Sequence, residues 1–177
     1  MRQCLFRTAA LFGRMFGVQI GRDVKITLHP FTDHFVGFEK VEAVREIFGD
    51  GTEKILSNLK VEFYSSRRGY MAVSDEDGHI LISARYLRNG NERDLYLDII
   101  HELVHVKQFL DGKELFEERW EYVDRPTEIE AYQHAAREAR RIGMNDEEIY
   151  EYLKTEQRSG QEVEKLAKSV GLTIPSR

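Results

Sequence analysis

The chain has 177 residues, 41% of them hydrophobic and 32% charged, with 26 Lys and Arg against 31 Asp and Glu for a net charge of −5. That length can bury a full core in one domain, and the acidic balance argues against nucleic acid as an obligatory partner, which calls for a basic face. The single cysteine, Cys4, allows no intrachain disulfide, fits a reducing, cytoplasmic setting and confines any metal site to histidine and carboxylate ligands.

Residues 1–35 read as an N-terminal arm. It opens with the apolar run MRQCLFRTAALFGRMFGVQIG, but Arg7 and Arg14 interrupt it. No segment therefore approaches the ~20 apolar residues of a membrane span, and no unbroken signal-peptide core is followed by a cleavage site. As a helix, Leu5, Phe6, Ala9, Phe12 and Phe16 form a stripe that packs on the domain or touches a membrane surface peripherally. The main domain then covers 36–156, followed by a C-terminal helical tail over 157–177.

Within 36–58, Val41, Val44, Ile47 and Phe48 share one side of a helix, and Gly49 and Gly51 break the run into two. Three short strands are expected at Leu59–Tyr64, Tyr70–Ser74 and His79–Ser83. Asp77-Gly78 supplies the hairpin turn between the last two. Asn91 caps a helix running to about Leu110. An acidic, aromatic connector follows, then helices over about Thr127–Ile142, Asp146–Lys154 and Gln161–Val170. Strands followed by helices predict an α+β domain: a small, mostly antiparallel three-stranded sheet packed on helices.

The chemistry is carried by HELVH at 101–105. Residues i and i+4 share a helix face, so His101 and His105 converge on one ion. Two neutral imidazole nitrogens suit Zn²⁺ at about 2.0–2.1 Å each. Glu102 points to another azimuth and serves as base toward a water whose pKa zinc has lowered. Leu95, Ile99, Leu103 and Val104 surround the motif as a buried helix requires.

A catalytic zinc needs a third protein ligand. His29, His34, His79 and His134 are the remaining histidines, and the helix after the connector offers Glu128 and Glu130. Glu128 falls on the small apolar stripe of Ala131, Tyr132, Ala135, Ala139 and Ile142. Glu130 falls on the polar side and has an ordinary use as the last member of a Thr127–Glu130 capping box. Glu128 is the favoured ligand and Glu130 the alternative.

HELVH followed by Glu128-Ile129-Glu130-Ala131 resembles the gluzincin branch of zinc metallopeptidases. In size and layout it is most similar to the minigluzincins, small soluble scaffolds akin to the catalytic domains of membrane-embedded zinc peptidases such as the CAAX prenyl proteases. The likeness covers about residues 59–142. It implies a zincin-like fold, zinc on His101, His105 and Glu128, and Glu102 as general base and acid in peptide hydrolysis. It also implies that His79–Ser83 is the sheet edge along which an extended peptide substrate adds. Some such scaffolds are latent, with a terminal segment in the cleft; here that would be the tail from Gln157 to Arg177. The chain departs from the pattern at Tyr132, where relatives carry an acid that orients a zinc-binding histidine. Asp98 is a substitute for that role, Tyr122, Tyr132 and His134 are candidate oxyanion donors, and Trp120 and Tyr122 are candidate cleft walls. The alternative function is a regulatory or interaction protein that keeps the fold and binds metal with little turnover.

Overall fold

In the computed structural model, which describes residues 17–66, 69–155 and 158–173, the fold is organised around a 19-residue helix with almost no polar side. This helix is labelled α5, and the elements before it build the surface on which it lies. Strands β1 (Gln19–Ile20) and β3 (Phe35–Val36) pair as a small antiparallel ribbon. Between them come β2 (Leu28–Pro30) and a single helical turn, α1 (Phe31–His34). Helices α2 (Glu42–Phe48) and α3 (Thr52–Asn58) follow, separated by Gly49 at φ 59°. Val41, Val44, Ile47 and Phe48 are buried, the face the spacing predicts.

Strand β4 (Lys60–Tyr64) alternates in the expected way, with Val61 and Phe63 fully buried. β5 (Met71–Val73) and β6 (Ile80–Ser83) form the predicted hairpin. Its turn places Gly78 at φ 76°, and a β-carbon there would come within 2.4 Å of the Phe109 ring. Glycine is thus needed both for the backbone and for close packing on α5.

The sheet differs from the three-stranded, mostly antiparallel expectation. It has four strands in the order β2-β4-β6-β5, and the β4–β6 pair is parallel. β2 enters antiparallel to β4, with His29 opposite Val61. Three residues ending in proline carry little strand signal, so only the tertiary pairing reveals it. The His79–Ser83 segment is consequently not the sheet edge: β6 lies between β4 and β5, and among the described residues β5 and β2 are the edges. The nearly continuous burial of Ile80, Ile82 and Ser83 is what an interior strand requires.

After β6 comes α4 (Ala84–Asn89), a short helix that the turn-rich sequence does not announce. α5 (Glu92–Leu110) starts at Asn91, whose side chain accepts from the backbone N–H of Arg93 and Asp94. It lies between the sheet, α2 and α6 (Pro126–Arg141). Ala131, Ala135 and Ala139 are completely buried and let α6 approach α5 closely. α6 does not begin with the expected capping box. Pro126 takes the first helical position, its missing N–H costing nothing there, and the Thr127 hydroxyl faces the Leu115 carbonyl instead. α7 (Asp146–Leu153) and α8 (Gly160–Ser169) each open with a capping box, Asn145–Glu148 and Ser159–Glu162. α8 buries Val163, Leu166 and Ala167 in the common core. Among the described residues no helix is long and apolar enough to cross a membrane. The apolar N-terminal stripe, Leu5 to Phe16, lies outside the described residues.

Candidate metal centre

Side chains on α5 project along its axis, so residues four apart stack one turn from each other. His101 and His105 do so: their rings lie 4.7 Å apart, and their Nε2 atoms are separated by 3.0 Å. Two imidazole nitrogens that close cannot both carry protons, so the pair calls for a proton or a cation between them. Glu128, in the first turn of α6, completes the group. Its Oε2 lies 3.3 Å from His101 Nε2 and its Oε1 3.6 Å from His105 Nε2. All three side chains are buried, and together they form a group that can hold a metal ion. The helix N-terminus favours a carboxylate at Glu128, and among the described residues no lysine or arginine ion pair draws it away.

The protonation balance follows from burial and from these contacts. Burial lowers His101 to about 4. Burial also opposes charge on His105, but its hydrogen bond to Glu128 and the nearby charge of Glu102 prevail and lift it to about 9. Burial pushes Glu128 up, yet the two histidines hold its carboxyl well below the usual carboxylate range. The centre therefore keeps one positive charge facing the Glu128 carboxylate.

A support beneath the centre was not anticipated from the motif. His105 Nδ1 donates to Gln108 Oε1 at 2.7 Å, which leaves Nε2 directed at the cluster. The Gln108 amide nitrogen donates to the Thr127 carbonyl at 3.0 Å and to Glu130 Oε2 at 2.8 Å. With its amide so fixed, Gln108 sets the His105 tautomer and ties α5 to the start of α6. Glu130, also bound by Lys113 at 2.8 Å, is part of this brace and not of the ligand group. The signal in the sequence is a glutamine inside an apolar run, one turn beyond His105.

Glu102 is buried beside the ligands, and its Oε2 has no hydrogen-bond partner among the described residues. Burial, reinforced by the charges of Glu128 and Asp98 against the pull of His105, raises it to about 8. Both His101 and Glu102 open onto a cavity of about 710 Å³. Six of the chain's eight tyrosines line it: Tyr64, Tyr70, Tyr86, Tyr122, Tyr132 and Tyr152. This is the size range of pockets that enclose small molecules or short peptide segments.

The remaining candidates are distributed as follows. Asp98 does not orient His101, whose Nδ1 has no partner among the described residues. Its carboxylate accepts instead from the hydroxyls of Tyr86 and, at 2.9 Å, Tyr152. The Tyr132 ring packs on His101 at 4.2 Å, and its hydroxyl accepts from Arg158 and lies 3.4 Å from that of Tyr122. His134 faces away, against Arg137, and Trp120 is an exposed side chain beneath Arg119 rather than a cavity wall. His29 contacts the Lys25 carbonyl and the His34 ring, while His79 sits between Asp77 and Glu62. Arg158, outside the region of the family likeness, is a cavity residue that no motif pointed to.

No protein-family model, curated protein or solved structure matches this chain.

Proposed function

We propose that the protein is a zinc-dependent metallopeptidase of gluzincin type. The observation that carries this reading is the buried His101, His105 and Glu128 group beside Glu102, whose Oε2 has no hydrogen-bond partner among the described residues, with His101 and Glu102 lining a substrate-sized cavity. Two imidazoles and a carboxylate are a zinc ligand set. Their donor separations of 3.0, 3.3 and 3.6 Å bracket the ~3.3–3.4 Å edge of a tetrahedron with bonds of about 2.0–2.1 Å.

His101, His105 and Glu128 would hold the ion, which when bound supplies Lewis acidity toward a carbonyl group and acidifies water. Glu102 relays the proton: as a carboxylate its Oε2 takes one from the attacking water, and as the acid it returns it to the leaving amine. The positive charge of a bound ion would favour the carboxylate form of a group that burial alone keeps protonated to about pH 8. Gln108 keeps the His105 ring in register through both steps. The hydroxyls of Tyr122 and Tyr132, which line the cavity, are the candidate donors to a developing oxyanion. An extended peptide would lie along the open side of β5, because Tyr70 and Met71 border the cavity. A cytoplasmic setting belongs to the same proposal.

Metal analysis of the purified chain should return one zinc per molecule, and His105→Ala should lose it. The zinc-loaded chain should hydrolyse a mixed peptide library. A chain that binds zinc but cuts no peptide, and whose Glu102→Gln variant behaves identically, would reject the hydrolase in favour of a metal-binding regulator.

A further inference from the structure

Arg158 reaches the cavity from the segment that leads into α8. Its guanidinium lies 4.9 Å from the Tyr132 ring and 5.3 Å from the Tyr122 ring. Nη1 donates to the Leu153 carbonyl at 2.7 Å, and Nη2 donates to the Tyr132 hydroxyl and, at 3.5 Å, to that of Tyr122. Every one of these acceptors is neutral. Arg125, the residue before α6, lies 5.7 Å from the same Tyr122 ring, and its Nε is buried with no hydrogen-bond partner.

Among the described residues neither guanidinium forms an ion pair. The acids close by are already engaged. Asp124 is held by Lys165, Glu162 by the Ser159 cap, Asp98 by two tyrosines and Glu128 by the two histidines. The partly buried Arg158 guanidinium donates only to neutral oxygens, and the carboxylates of Asp98 and Glu162 act on it through space without a direct ion pair, so its desolvation is incompletely offset. The cost is the more notable in a chain with an excess of acidic side chains to choose from. An anion seated against the Arg158 guanidinium would offset that cost, and the planar guanidinium fork matches a carboxylate.

Resting on the peptidase reading, we infer that Arg158 forms a carboxylate-binding subsite, so that preferred substrates carry a free carboxylate close to the scissile bond. The distance is bounded by one ring: Tyr132 touches His101 at 4.2 Å and the Arg158 guanidinium at 4.9 Å. That leaves room for no more than about three residues of extended chain at ~3.3–3.6 Å each.

The test uses the full-length, zinc-loaded Glu102→Gln chain, in which bound peptide is not consumed. Calorimetry compares neutral peptides with a free C-terminus, the same peptides amidated, and amidated peptides carrying one internal glutamate. Either carboxylate should bind about ten- to a hundredfold more tightly than its neutral counterpart, as charge-assisted hydrogen bonds do. Which of the two gains shows whether the subsite reads a chain end or a side chain. Adding Arg158→Gln should remove the preference, and Arg158→Lys, which keeps the charge, should restore part of it. Zinc content and melting temperature are followed in every variant, so that loss of fold is recognised. Equal binding of acids and amides, or a preference that survives Arg158→Gln, overturns the subsite and leaves the peptidase intact. If the wild-type chain hydrolyses none of the peptides and the variant binds none, with zinc in place, the peptidase reading falls and takes the subsite with it.

Discussion

His105 and Gln108 sit three residues apart on one helix, and a 2.7 Å hydrogen bond from imidazole Nδ1 to amide Oε1 couples them. The amide cannot rotate away, because its nitrogen is already committed to the Thr127 carbonyl and Glu130. One glutamine therefore both aims His105 at the candidate metal group and clips together the two helices that supply that group. Replacing Gln108 with leucine, close to it in size, removes this brace and should weaken zinc affinity by about 10–100-fold. Competition with a chromophoric chelator measures this directly; an unchanged affinity would remove Gln108 from the centre.

In the proposed mechanism Glu102 moves a proton without contributing to the ligand group. Glu102→Gln keeps its volume and removes the basic oxygen. Peptide hydrolysis should fall by about 10²–10⁴-fold, the usual contribution of a general acid–base group, while the zinc content stays at one per chain. Cleavage rate and metal stoichiometry, taken on the same preparation, separate catalytic loss from loss of the ion.

Asp98 makes stability depend on pH. Burial raises its carboxyl to about 6, against the opposing pull of Tyr86 and Tyr152. Between roughly pH 4 and 6 the native metal-free chain thus binds more protons than the unfolded one, and stability declines as pH rises through that window. With some solvent contact remaining, the loss is of order 1–3 kcal/mol. Asp98→Asn should flatten this part of the curve, as seen in urea midpoints recorded across the window on the metal-free protein.

The C-terminal tail is tied into the core rather than merely laid over the cleft. Leu166 is completely buried, so Leu166→Ala should cost about 2–5 kcal/mol by chemical denaturation. Removing residues 158–177 takes away Val163, Leu166 and Ala167 together, and the expected result is an unstable chain, not an activated one. A truncated protein with the same melting temperature and higher cleavage would instead support a latent enzyme released by loss of its tail.

Much of the centre was legible from local spacing. Two histidines four apart in an apolar run must share a face of α5, because 3.6 residues per turn leaves no other arrangement. The same periodicity separates Glu128, on the alanine stripe of α6, from Glu130 two positions on, and the fold puts Glu128 beside the histidines and Glu130 against Lys113. The hairpin at Asp77-Gly78 was equally readable, since the turn chemistry lies within a few residues. Other features depended on distant contacts. β2 is too short to declare itself and joins the sheet only by pairing with a strand some thirty residues later, and the parallel pairing of β6 with β4 is what makes β5 the edge. Asp98 has the right spacing to brace His101, yet Tyr86 and Tyr152 hold it elsewhere. Arg158 comes to the cavity from beyond α7, by a path no periodicity describes. Backbone geometry dictates what lies within one turn or one hairpin, and so the sequence alone determined the paired imidazoles and the face that Glu128 occupies. Strand order, and the meeting of side chains from separate elements, depend on which apolar surfaces pack together, and only the tertiary structure decides that.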